Sequence, residues 1–137
     1  MIIVSACLAG LHCRYDGGEK SHDEVIRLVA EGKAIPVCPE QAGGLTTPRL
    51  PCEIINGRVI RKDGGDVTTE FEHGARECLA LAKLAGVNEA ILKAKSPSCG
   101  VAMIYDGTFS GRLVPGDGVF AALCRQEGIT LRTEEDL

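Results

Sequence analysis

Cys7, Cys38 and Cys99 offer the most evident chemistry in this sequence. Each closely follows an aliphatic run: Ile2-Ile3-Val4-Ser5-Ala6, Ala34-Ile35-Pro36-Val37 and Ala90-Ile91-Leu92-Lys93-Ala94. Glycine or proline stands near each, in loops whose backbone can approach a bulky ligand. Ligands of an open parallel sheet bind outside the carboxyl ends of its strands, so three thiols far apart in sequence are expected along one sheet edge. Three thiolates suit several centres. Structural zinc takes four ligands, commonly from Cys-x-x-Cys pairs, and no such pair occurs. An iron–sulfur cluster usually takes four thiolates; three would leave one iron open, as a catalytic cluster requires. Zinc, a thiol nucleophile and plain buried cysteines remain alternatives on these residues alone.

Other groups flank these thiols. Glu40, two residues beyond Cys38, is within reach of the same pocket and is a candidate acid–base, or else a cap or ion-pair partner. Ser96 and Ser98 enclose Pro97 just before Cys99; they can orient a reactant or simply form the turn. Arg14, Tyr15, Asp16 and Arg49 are candidates for shaping a substrate pocket, with Arg14 and Asp16 equally able to pair and fix a loop. Cys52, Cys78 and Cys124 read as packing residues, and Cys13 as either packing or an accessory thiol. His12, His22 and His73 show no ligand spacing.

The elements that must position these residues alternate. The first aliphatic run is a strand, followed by a turn-rich loop from Gly10 to Ser21 and a helix capped by Ser21 or Asp23, with Val25, Ile26, Leu28 and Val29 inward. Residues 34–37 read as a second strand; Pro36, which lacks an N–H, weakens that reading or places the strand at an edge. Residues 39–53 read as a long functional loop. Asn56-Gly57 between Ile54-Ile55 and Arg58-Val59-Ile60 is a hairpin signal. A helix opens at Asp66 and ends near Leu84, with Gly86 after it. Residues 90–94 form a strand, Met103-Ile104-Tyr105 leads to a Tyr-Asp-Gly turn, a short helix carries Val119, Ala122 and Leu123, and residues 129–132 form the last strand. The expectation is an α/β fold: three-layer and Rossmann-like, one domain over residues 1–137, with a mostly parallel sheet and a small β-hairpin insertion.

Composition limits the partners. The net charge is −4, so no overall basic field draws in nucleic acid. No run approaches the roughly 20 apolar residues of a membrane span, and Met1–Ala6 is too short for a secretion signal. Seven cysteines, an odd number, without an export signal argue against a disulfide scaffold. A cytoplasmic protein with reduced thiols and no membrane partner is expected; the oligomeric state is left open.

The motifs Ser5-Ala6-Cys7-Leu8-Ala9-Gly10, Arg14-Tyr15-Asp16-Gly17, Cys38-Pro39-Glu40, Gly44-Leu45-Thr46-Thr47-Pro48-Arg49, Gly65-Asp66-Val67-Thr68, Ser96-Pro97-Ser98-Cys99-Gly100 and Tyr105-Asp106-Gly107-Thr108-Phe109 resemble, in order and spacing over nearly the whole chain, a bacterial family once grouped as a domain of unknown function. Its characterised members are thiouracil desulfidases. The resemblance implies an oxygen-sensitive 4Fe–4S cluster held by Cys7, Cys38 and Cys99, an essential carboxylate at Glu40, and an essential serine at Ser96 or Ser98, with Ser96 favoured. It implies a small thiolated substrate such as 2-thiouracil, converted hydrolytically to uracil and sulfide. Cys13 falls where relatives often lack cysteine, and so stays outside the ligand set. The chain resembles the stand-alone form of the family, and Cys52 in Pro51-Cys52-Glu53 departs from its usual small residue. A cysteine-nucleophile sulfur transferase and a non-catalytic cluster-binding module are the rival readings.

Overall fold

The aliphatic runs form a parallel sheet in the computed structural model, which describes residues 1–137. In chain order the elements are β1 (Ile2–Ser5), α1 (Asp23–Ala30), β2 (Ala34–Val37), α2 (Pro39–Ala42), β3 (Cys52–Ile55), β4 (Arg58–Arg61), α3 (Thr68–Leu84), β5 (Glu89–Leu92), β6 (Met103–Tyr105), β7 (Leu113–Pro115), α4 (Val119–Gln126) and β8 (Thr130–Thr133). The sheet order is β2-β1-β5-β8, all parallel. Chain progression reverses at β1: the next strand pairs on one side of it and β5 on the other. That reversal is the switch point where doubly wound sheets bind ligands, beyond the strands' carboxyl ends.

Side-chain alternation along the strands creates the layers. Ile3, Ala90 and Leu92 point to one face and meet Ala75, Leu79 and Ala82 of α3 and Phe120, Ala121 and Cys124 of α4. Val4 and Ile91 point to the other and meet Val25 and Leu28 of α1. Cys78 and Cys124 belong to the first of these cores, as packing residues. Pro36 sits in β2, an edge strand, where a missing ladder donor is tolerated. The β3–β4 ribbon turns at Asn56 and Gly57, both with positive φ (50° and 75°), as a two-residue hairpin requires. Phe71 and Val67 cover its inner face. No helix is long and apolar enough to cross a membrane.

Three expectations change. The stretch 39–53 is not one loop: Pro39 starts a single helical turn, α2, and β3 begins at Cys52. The segment after Met103–Tyr105 is a second antiparallel ribbon, because Leu113–Pro115 pairs back onto it; three residues ending in proline leave too little pattern to read. Helix α1 is capped by neither Ser21 nor Asp23 but by His22, whose Nδ1 accepts the Glu24 N–H at 3.2 Å.

Candidate metal centre and catalytic cleft

A cavity of about 540 Å³ opens at the carboxyl ends of β1, β2 and β5, and Cys7, Cys38 and Cys99 all line it. Each thiol is delivered by a different local device. Cys7 lies in a 3-10 turn, Ala6–Ala9, that continues β1, and the Lys20 N–H binds its carbonyl at 2.9 Å. Cys38 is the residue before α2. Cys99 lies in a loop held from behind by α4: the Phe120 N–H donates to the Ser98 carbonyl at 2.8 Å. A Cβ on Gly118 would come within 2.5 Å of that Ser98 carbonyl carbon, so only glycine admits this approach. Ser5 Oγ accepts the Lys93 N–H at 2.8 Å, tying the ends of β1 and β5 together at the cavity floor.

Helix α2 is seated by two glycines. A Cβ on Gly74 of α3 would lie 1.7 Å from the Pro39 carbonyl oxygen, and one on Gly43 would lie 2.0 Å from that of Glu70. Backbone-to-backbone packing therefore fixes the turn that carries Cys38 and Glu40.

Glu40 is held at both carboxylate oxygens. Arg49 Nε donates to Oε1 at 3.0 Å and Ser98 Oγ donates to Oε2 at 2.8 Å. Both ionic side chains are largely withdrawn from water, 7% exposed for Arg49 and 14% for Glu40. The other Arg49 donors reach the Thr46 carbonyl (3.1 Å), Thr47 Oγ1 (2.9 Å) and the Cys13 carbonyl (2.8 Å). Arg49 lines the cavity with a guanidinium committed to holding Glu40 and the neighbouring loops.

The two serines differ. Ser96 Oγ accepts the backbone N–H of Cys99 at 2.8 Å and of Ser98 at 3.2 Å, which shapes the loop. Ser98 is buried, touches Glu40 directly and lies 3.7 Å from Cys99 Sγ. Ser96 and Ser98 share a hydroxyl–hydroxyl contact of 3.1 Å.

Burial pushes the Cys99 thiol up to about 12, against hydrogen bonds with Ser5 and Ser98. Cys38 is also raised, first by donating toward Cys13 and then by burial. No three His, Cys, Asp or Glu side chains converge tightly enough for one metal ion. Thiols placed around an open space suit a multi-iron cluster, which binds its ligands on its outside, better than a single zinc.

Among the other expected site residues, Arg14 and Tyr15 line the cavity, with the Arg14 guanidinium 5.7 Å from the Tyr15 ring centre. Asp16 does not line it. Asp16 is an exposed turn former whose Oδ1 accepts the Gly18 N–H at 2.9 Å, an interaction that lowers its carboxyl below the usual range. Cys52, expected to be packing, is half-buried on the cavity wall.

The sequence reading did not single out Lys20, Lys93, Lys95, Glu53 or Phe109, which also line the cavity. Glu53 Oε1 accepts the Gly107 and Phe109 N–H groups, each at 3.0 Å, docking the second ribbon against the first. The Tyr105–Phe109 motif was the available signal. Lys95 and Phe109 have positive φ, 71° and 56°; such strain in bulky residues costs about 1–3 kcal/mol and gathers at functional sites.

The chain is similar to known proteins over nearly its whole length. The family model described as 2-thiouracil desulfurase matches residues 2–136. The uncharacterized protein YbbK of Bacillus subtilis (strain 168) is 44% identical over 147 residues, covering 100% of this chain and 97% of its own. Among solved structures, the 4Fe–4S-dependent thiouracil desulfidase TudS (DUF523Vcz) superposes with a TM-score of 0.95 at 46% identity, over 99% of this chain and 91% of that one.

Proposed function

The chain belongs to the 2-thiouracil desulfurase family, and on that premise we propose that it hydrolyses the C–S bond of a small thiolated nucleobase such as 2-thiouracil, giving uracil and sulfide. Cys7, Cys38 and Cys99 are assigned as thiolate ligands of a 4Fe–4S cluster. When bound, that cluster supplies a soft Lewis acid to polarise the thiocarbonyl. The observation that carries the reading is the carboxylate of Glu40, locked between Arg49 and Ser98 on the wall of the cavity that the three thiols share.

The residues then divide the work. Glu40 takes a proton from the attacking water and returns it to the departing sulfur, so that water and thiocarbonyl become carbonyl and hydrogen sulfide with no net redox change. Ser98 orients the carboxylate by donating to its Oε2. Ser96 fixes the loop that presents Ser98 and Cys99. Arg49 keeps the carboxylate aimed. Arg14 and Tyr15 form part of the wall against which a flat heterocycle rests. A reducing cytoplasm suits a protein that depends on free thiols.

The test is anaerobic reconstitution with iron and sulfide, then incubation with 2-thiouracil. About four irons per chain are expected, with equimolar uracil and sulfide. Glu40→Gln should keep its iron and lose roughly 10²–10⁴-fold in kcat. A chain that takes up iron and leaves 2-thiouracil and related thiolated bases intact would sink the proposal.

A further inference from the structure

Cys13 has no task in the reading above, yet it is buried on the wall of the same cavity. Its carbonyl is fixed by Arg49 Nη2 at 2.8 Å and accepts the Cys38 S–H at 3.8 Å. Cys13, Cys38 and Cys7 line the same cavity. Cys7 and Cys99 are both buried, whereas Cys38 is partly exposed. An oxidant entering the cavity therefore reaches Cys38 before the other two ligand thiols, and finds Cys13 beside it.

We propose that Cys13 is the oxidation partner of Cys38: once the cluster is lost, the two sulfurs close a reversible disulfide that prevents reloading until it is reduced. The proposal rests on the assignment of Cys38 as a cluster ligand. The oxidant is a peroxide. The Cys38 sulfur attacks one peroxide oxygen, the O–O bond breaks, and a sulfenic acid and water are formed. The Cys13 sulfur then attacks the Cys38 sulfur and expels the hydroxyl as a second water. Two thiols and one hydrogen peroxide thus become one disulfide and two waters. The cysteine pair loses two electrons and the peroxide gains them. Trapping the sulfenic acid this way also diverts Cys38 from irreversible sulfinic acid.

The experiment starts from cluster-loaded protein, treated with hydrogen peroxide until its visible absorption is gone. Free thiols are then alkylated and the chain digested with trypsin. Cys7 and Cys13 share one tryptic peptide, residues 1–14, and Cys38 lies in another, 34–49, so fragmentation spectra must locate the bond. A Cys13–Cys38 link is expected, with the mass lower by two hydrogens. Iron and sulfide alone should then fail to restore the absorption, and prior treatment with a dithiol should restore it. Cys13→Ser and Cys13→Ala should form no such link, show overoxidised Cys38 and fail to reload even after dithiol treatment. A Cys7–Cys38 or Cys38–Cys99 link, no link, or full recovery by dithiol in the Cys13 variants would overturn the proposal. If the chain never takes up iron, the function proposed above fails, while the cross-link can still be mapped on the iron-free protein.

Discussion

Replacing Arg49 with methionine keeps much of its bulk and removes its charge and donors. In the structure this guanidinium makes four hydrogen bonds and neutralises Glu40 at 3.0 Å, with only 7% and 14% of the two side chains exposed. Breaking a withdrawn ion pair by deleting one partner costs about 3–5 kcal/mol, mostly because the other charge stays behind. For a chain of 137 residues the entropy of melting is roughly 290 cal/mol/K, so Tm should fall by roughly 10–17 °C. The assay is thermal unfolding of parent, Arg49→Met, Glu40→Gln and the double variant, all in one cluster-loading state. Glu40→Gln relieves the stranded charge, so the double variant should cost less than the sum by about 1–3 kcal/mol. An Arg49→Met penalty under about 1 kcal/mol, or additivity within about 0.5 kcal/mol, would show that the carboxylate is not held as argued.

Other perturbations separate the parts of the site. Ser98→Ala removes a charge-assisted hydrogen bond to Glu40 worth about 1.5–3 kcal/mol, and should lower kcat by roughly 10–100-fold at unchanged iron content. Ser96→Ala strips two backbone N–H groups of their acceptor and should speed iron loss, followed by the decay of visible absorption under a chelator. Gly74→Ala places a Cβ 1.7 Å from the Pro39 carbonyl oxygen; it should cost at least about 1–3 kcal/mol in denaturant titration and lower iron occupancy, since Cys38 and Glu40 move with α2. Asp66 is held at about 2 by hydrogen bonds from the Thr68 side chain and N–H and from Arg58. Its folded value lies below its unfolded one, so its contribution is complete above about pH 4 and disappears as pH falls through 2. Denaturant midpoints of parent and Asp66→Asn should converge over that interval.

The frame of strands and helices was legible because hydrophobic runs and breakers repeat in a simple order. Strands ended where Cys7 and Cys38 begin, Pro36 marked an edge, and Asn56-Gly57 marked a hairpin. Interactions between distant segments left no such trace. That Ser98 meets Glu40, 58 residues away, depends on how α4 holds one loop and α3 seats another. Helix α2 was missed because one turn has no periodicity to detect, although Pro39 at its first position and Gly43 after it are ordinary boundary signals. Asp16, a candidate for shaping the pocket, has a local task that its sequence does announce: its Oδ1 accepts the Gly18 N–H in a turn, as Asp before glycines commonly does.

The hold of α4 on the Ser98–Cys99 loop bears on how the protein is made. Synthesis runs from Cys7 toward Leu137, and all three proposed ligand cysteines have been added by residue 99. The peptide groups that pin the last of them, those of Val119 and Phe120, are added some twenty residues later. A nascent chain halted between these points carries all three proposed ligand thiols and lacks the contacts that pin the last of them. Maturation is thereby placed after the carboxyl-terminal third has docked, and a ribosome-bound fragment ending before residue 119 should be unable to retain iron.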